Sequence, residues 1–177
     1  MRLALSETPE LLPGQYYLVR LVIDGPSGVV EQAYSVSSSP YPLVPEIEIT
    51  VRKVHGGRAS PLLARQVRVG DQLHVRGPFG FLTWTEEDGG PLVLIGAGSG
   101  VAPLMSIVRY AVARQEQVPM TVLCSSRDRG TVLFRQPLED LVACSLWLSA
   151  THTSPAARTT PMPATTGVLT ARCSKSW

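Results

Sequence analysis

An antiparallel β-barrel domain followed by a parallel-sheet α/β domain is the fold class this sequence predicts, and three observations carry it. The first half holds short strands with alternating apolar positions, broken by proline and glycine turns. The second half switches to continuous apolar runs separated by helical periods. Between them lies TWTEEDGG, Thr83 to Gly90, an acidic stretch ending in glycines that suits a domain boundary. The expected organisation is a barrel domain over 1–84, an incomplete α/β domain over 90–151, and an irregular tail over 152–177.

Taken in order, YYLVRLVI (Tyr16 to Ile23), QAYSVSS (Gln32 to Ser38) and EIEITVRKV (Glu46 to Val54) read as strands, with Ile47, Ile49 and Val51 pointing inward. DGPSG and SSPYPLVP stop the runs between them. Closing such strands into a small barrel leaves no free edges. In SPLLARQV, Ser60 is placed to cap and Pro61 to occupy the first turn of a short helix. QLHVRG is the last strand of this half and ends at GPFG.

PLVLIG (Pro91 to Gly96) fits a buried parallel strand, and PLMSIVRYAVARQ (Pro103 to Gln115) places Leu104, Ile107, Val108 and Val112 at helical spacing, with Pro103 at the helix start. PMTVLCSS repeats the strand, LFRQPLEDLV is a helix interrupted near Pro137, and SLWLSAT is a third strand. From Leu141 to Trp177 there is no Asp or Glu, and from Thr151 onward Thr, Ser, Pro and Ala dominate without a period. Such a segment predicts no regular structure, and a three-stranded α/β domain is a truncated or altered one.

With 177 residues and 44% hydrophobic content the chain can bury a sizeable core. A net charge of +2 argues against nucleic acid and membrane surfaces as partners, and no run approaches the roughly 20 apolar residues of a membrane span. The start MRLALSETPELLPG lacks the form of a signal peptide, so the expected location is cytoplasmic. Cys124, Cys144 and Cys173 form no C-x-x-C pair, and His55, His74 and His152 stand apart, so no metal site or nucleophilic triad is expected. Cys124, inside MTVLC, reads as a core residue.

The chemistry concentrates in GAGSGVAP. A dinucleotide fingerprint would need glycine where Val101 stands and an acid about twenty residues on, and has neither. Gly96, Gly98 and Gly100 still let a phosphate approach the backbone where a helix begins. At the end of the next strand come Ser126 and Arg127, where a cation with hydroxyl neighbours suits a 2′-phosphate and favours NADP over NAD. Arg129 or Arg135 offers a second cation.

QAYSVSSSP, VHGGRASPLL, GPFGF, LIGAGSGVAPLMSIVR and SSRDRGTVLFRQPLEDL, in this order over roughly residues 11–142, resemble the ferredoxin–NADP reductase-like flavoproteins. The resemblance implies an FAD-binding barrel and an NAD(P)-binding α/β domain. It places Tyr34 against the flavin ring, Ser35 near its N5, and Gly57 and Ser60 at the pyrophosphate. It makes the loop at Gly96, Gly98, Gly100 and Val101 the site of the nucleotide's pyrophosphate. Gln32 stands where the family has arginine; it can hydrogen-bond a phosphate without neutralising it, and Arg52 is the candidate to compensate.

The activity so implied is hydride transfer from NADP(H) to FAD and electron delivery to a protein or small acceptor, with no side chain as nucleophile. An electron-transfer module without turnover, or an inactive fragment, are the alternatives. Trp177 as a terminal aromatic lid is disfavoured, because no strand precedes it to deliver it.

Overall fold

The computed structural model describes residues 1–22, 28–127, 129–154 and 157–161. In its first part, β1 (Arg2–Ala4), β2 (Tyr16–Val22), β3 (Val29–Ser35) and β4 (Glu46–Glu48) are followed by helix α1 (Ser60–Arg65) and β5 (His74–Phe79). They form two small antiparallel sheets, β1–β4 and β3–β2–β5, joined by a bridge between Val36 and Ile49. Alternate residues of β2 (Tyr17, Val19, Leu21) meet Ile47 and Ile49 from the other sheet and Leu63 from α1 in one apolar core.

The third strand is shorter than the alternation through Val54 predicts. Ile47 and Ile49 are buried, but Val51 is only half-buried and Arg52 to Val54 are exposed. The reason is local: the Val54 carbonyl accepts the Gly57 N–H at 3.1 Å and its own N–H donates to Ser60 Oγ at 3.0 Å, which turns the chain into α1. Ser60 therefore does not cap α1. Ala59 holds that position, and Pro61 sits in the first turn.

The second part runs β6 (Leu92–Ala97), α2 (Val101–Arg114), β7 (Met120–Ser125), α3 (Arg135–Cys144), β8 (Leu148–Ser154) and β9 (Ala157–Pro161). The sheet order is β6–β7–β8–β9, the first three strands parallel and β9 antiparallel to β8. Two successive crossovers in the same direction put α2 and α3 on one face. There Leu94, Val122, Cys124, Leu148 and Ala150 pack under Leu104, Met105, Ile107, Val108, Leu138 and Leu141. On the other face of β6, Val93 and Ile95 are exposed.

Pro103 lies deeper in its helix than the expected first position, and Pro137, expected to interrupt its helix, lies near the start of it. α2 begins at Val101 and α3 at Arg135, so Pro103 and Pro137 each occupy the third helical position. Neither interrupts its helix, because first-turn N–H groups have no intrahelical acceptor to lose. The third strand starts at Leu148, not Ser145, and continues through Ser154, and β9 follows it. The composition of 152–161 suggested irregular chain. Ladder pairing from Met120↔Leu148 to Ser125↔Thr153 overrides that, and threonine suits a strand. The tail beyond residue 161, with Cys173 and Trp177, lies outside the described residues, as does Ile23.

Trp84 opens the connecting stretch and packs into the second core at 4% exposure. Its indole N–H donates to Gly89 O at 2.8 Å and its ring meets Tyr110 edge-on at 6.4 Å. Among the described residues no helix is long and apolar enough to cross a membrane.

Candidate functional site at the junction of the two parts

β3 is an edge strand, and its register puts Tyr34 opposite Tyr17 and Gln32 opposite Val19. These pairs share the face of the first core. Tyr34 is half-buried against that core, and burial raises its pKa above the ordinary tyrosine value. Gln32 is exposed, and Ser35 closes the strand half-buried. An aromatic ring at an open sheet edge is a surface on which a planar heterocycle can lie, while Ser35, the next residue, belongs to the opposite face of the strand. Gly57 and Ser60 are drawn together through Val54: a Cβ on Gly57 would stand 3.2 Å from Ser60 Oγ. The Ser60 hydroxyl accepts from Val54, so it retains its proton to donate to an anion.

On the nucleotide side the glycines divide by role. A Cβ on Gly96 would lie 2.8 Å from Leu104 Cδ1 and 2.9 Å from Gly100 O, so Gly96 is there to let α2 close onto β6. Gly98 has φ +52°, and the space where a Cβ on Gly100 would project is open. Val101 turns its side chain into the second core at 2% exposure, and its N–H bonds to Gly98 O and Ser99 O. Its side chain therefore faces away from any ligand of the loop.

At the carboxyl end of β7 the Ser126 N–H donates to Thr153 O at 3.1 Å, and the Arg127 carbonyl accepts Ser154 Oγ at 3.2 Å. The Arg127 side chain is exposed. Arg135, first residue of α3, forms an i,i+4 ion pair with Glu139 at 3.0 Å. The Arg129 side chain lies outside the described residues. His152, cross-strand from Cys124, buries both ring nitrogens without a partner among the described residues. Burial first, and then the Arg135 charge, hold it below the ordinary histidine pKa. Cys124 is buried, its thiol pushed up to about 11 by desolvation, an inert core residue. No group of three or more metal-ligating side chains occurs among the described residues.

The two sides meet. Arg52, leaving the β4 segment toward the Gly57–Ser60 turn, has Nη1 3.3 Å from where a Cβ on Gly98 would stand. It thus lies at the glycine loop. From α2, Ser106 Oγ donates to Ser38 O at 2.7 Å, and Arg109 Nη1 donates to Ser37 O at 2.7 Å and Glu48 Oε1 at 3.1 Å. Ser37 is fully buried, and its hydroxyl also reaches Glu48 Oε1 at 3.1 Å. None of Ser37, Glu48, Ser106 and Arg109 stands out in the sequence as a functional residue.

Burial alone would raise the Glu48 carboxyl, but the Arg109 hydrogen bond and charge, with the Ser37 hydroxyl, hold it below its ordinary value of 4.5. A depressed carboxyl stabilises the fold above its unfolded pKa and loses that contribution as pH falls through the folded one. The stability advantage of the native chain over Glu48→Gln is therefore expected to be full at neutral pH and to shrink below pH 4.5, as measured by urea midpoints across that range.

Residues 1–84 match the family model for the oxidoreductase FAD-binding domain. The chain is 35% identical over 145 residues to the ferredoxin reductase component of a 3-ketosteroid-9-alpha-monooxygenase of Mycobacterium tuberculosis, covering 78% of this chain and 39% of that protein. It is 31% identical over 132 residues to a glycine betaine monooxygenase reductase subunit of Pseudomonas aeruginosa, covering 74% and 35%. An Amycolatopsis cytochrome P450 reductase superposes with a TM-score of 0.73 at 28% identity, covering 89% of this chain and 48% of that one. The chain thus spans less than half the length of these proteins. A match to the FAD-binding domain over residues 1–84 is followed by a sheet whose first three strands are parallel. By these likenesses residues 1–84 match the oxidoreductase FAD-binding domain, and the chain is similar to ferredoxin reductase-like flavoproteins.

Proposed function

We propose that this chain binds FAD and NADP(H) and serves as a flavin-dependent reductase, passing electrons to an acceptor protein or a small acceptor. The observation that carries the reading is the approach of Arg52 to Gly98, which brings a cation from the first part of the chain, five residues before the Gly57–Ser60 turn, to the Gly96–Gly100 loop of the second. Ligands held by those two loops would face each other across the junction. Bound FAD would supply the chemistry, accepting hydride from NADPH and releasing electrons onward.

The chain's own residues bind and orient. Tyr34 offers its ring to the flavin, and Ser35 offers its hydroxyl near the reacting edge. Gln32, Ser60, the Gly57 turn and Arg52 meet phosphate oxygens. Gly98 and Gly100 admit the nucleotide's pyrophosphate to the start of α2, with Val101 contributing to that loop only by backbone. Ser126 and Arg127, with Arg135 or Arg129, take the 2′-phosphate. The curated relatives are named as reductase components of mono-oxygenases, which supports an oxygenase or ferredoxin-type protein as acceptor. A cytoplasmic setting, where NADPH is supplied, fits this role.

Anaerobic titration of the FAD-loaded chain with NADPH and with NADH tests the reading. Bleaching of the flavin absorbance at lower NADPH than NADH is the expected result; bound flavin that neither nucleotide reduces refutes it. Gln32→Arg is expected to tighten FAD about fivefold in fluorescence titration, since a charge-assisted bond to phosphate is worth about 1 kcal/mol more than a neutral one. Unchanged affinity would remove Gln32 from the flavin's phosphate.

A further inference from the structure

We propose that Arg109 is a positioning residue that sets the nucleotide loop in register with the flavin strand, through a latch formed with Ser37, Glu48 and Phe134. The inference rests on the reductase reading for its consequence, and on geometry for its existence.

The glycine loop, Gly98–Gly100, runs directly into the start of α2, and the helix carries the latch further along. Ser106 and Arg109, three residues apart, lie on one face of that helix. Both reach the chain just beyond Tyr34 and Ser35: Ser106 Oγ to Ser38 O at 2.7 Å, Arg109 Nη1 to Ser37 O at 2.7 Å. The same guanidinium nitrogen bonds Glu48 Oε1, while Ser38 Oγ accepts the Glu48 N–H at 3.0 Å. The barrel side of the latch is thus itself cross-tied, with Ser37 Oγ 3.1 Å from Thr50 Oγ1.

The guanidinium also lies over Phe134, with Cζ 5.7 Å from the ring centroid. Phe134 is the residue before α3, held at φ 57°, and the next residue is Arg135. One side chain, 19% exposed, therefore touches the end of the flavin strand, the neighbouring strand β4 and the start of α3. A helix is stiff along its axis, so pinning α2 here fixes the distance from Ser35 to the loop at Gly98. Hydride transfer falls steeply with small misplacement of the reacting groups, which is where such a residue acts. Lysine keeps the charge but has no planar group to lie on Phe134 while donating two bonds.

The test uses the full chain loaded with FAD. Stopped-flow mixing with saturating NADPH is expected to show flavin reduction at least tenfold slower in Arg109→Lys. Glu48→Gln, which keeps an acceptor oxygen for Arg109, is expected to lose less. FAD affinity and the KM for NADPH should stay within twofold in both, a split that general loss of structure would not produce.

Hydrogen exchange on the flavin-free chain reads the latch without activity. Amides of Ser37, Ser38 and Ile49 should exchange at least tenfold faster in Arg109→Lys, with those of Met120 to Cys124 unchanged. Native exchange at the junction together with native reduction rates overturns the proposal. If the native chain is reduced by neither nucleotide, the reductase reading fails, and unchanged exchange then refutes the latch as well while faster exchange upholds it. If Arg109→Lys does not fold, the same outcomes are read on Glu48→Gln and Ser106→Ala.

Discussion

Replacing Arg127 by alanine is expected to lower kcat/KM for NADPH about 10- to 100-fold and to leave that for NADH within about twofold. A hydrogen bond to a charged group contributes about 1.5–3 kcal/mol, which spans that range when the partner is present only on NADPH. The site favours a large effect because the backbone around Arg127 is held on both sides. Ser126 donates to Thr153, and the Arg127 carbonyl accepts from Ser154. The side chain is thus displayed from an anchored backbone at the carboxyl end of a parallel strand. Arg135 is already paired with Glu139, so Arg135→Ala should cost less than Arg127→Ala. Because Arg127 is exposed, the stability of the variant should lie within about 0.5 kcal/mol of the native chain. Equal losses with both nucleotides would remove Arg127 from the 2′-phosphate.

Alanine at Gly14 is expected to destabilise the chain by about 3 kcal/mol or more, through two separate causes. Gly14 sits at φ +102°, a conformation costing a side-chain-bearing residue about 1–3 kcal/mol. A Cβ there would also lie 2.0 Å from the Leu82 carbonyl oxygen and 3.4 Å from Ile107 Cδ1. The first obstacle is backbone, which cannot rotate aside, and overpacking of this kind costs about 1–3 kcal/mol more. Gly56→Ala is the matched control: its φ is +72°, but nothing lies within 4 Å of its Cβ position. It should show the dihedral cost alone. A thermal midpoint lowered by about 6–12 °C for Gly14→Ala, and by less than half of that for Gly56→Ala, is the expected pattern. Similar shifts in the two variants would assign the whole cost to backbone conformation.

The elements with the strongest period are those in which sequence and structure agree. Ile47 and Ile49 alternate and are buried; Leu104, Ile107 and Val108 recur at helical spacing and are buried, with Val112 at the margin of the same core. The ends of elements followed other rules. The predicted strand through Val54 ends at Glu48 with a single bridge at Ile49, and Val54 itself is taken into the turn before α1 by Gly57 and Ser60. The third strand runs on past Thr151 because β7 offered a ladder, Cys124 to His152 and Ser125 to Thr153, although the composition from residue 152 onward did not ask for one. The candidate site divides in the same way. Glycines, Tyr34 and the Ser126–Arg127 pair are visible as residue types in order, but the inward turn of the Val101 side chain depends on where α2 meets the sheet.

Period, turn residues and motif order by themselves determined a barrel, a parallel layer and a family resemblance, because each is a local property of the chain. That Arg52 lies at the Gly98 loop, and how the two parts are joined, was decided only by tertiary structure. Arg109 is one polar position on an apolar helix until folding brings it to partners 72 and 61 residues away, and no local pattern records a contact made across that distance.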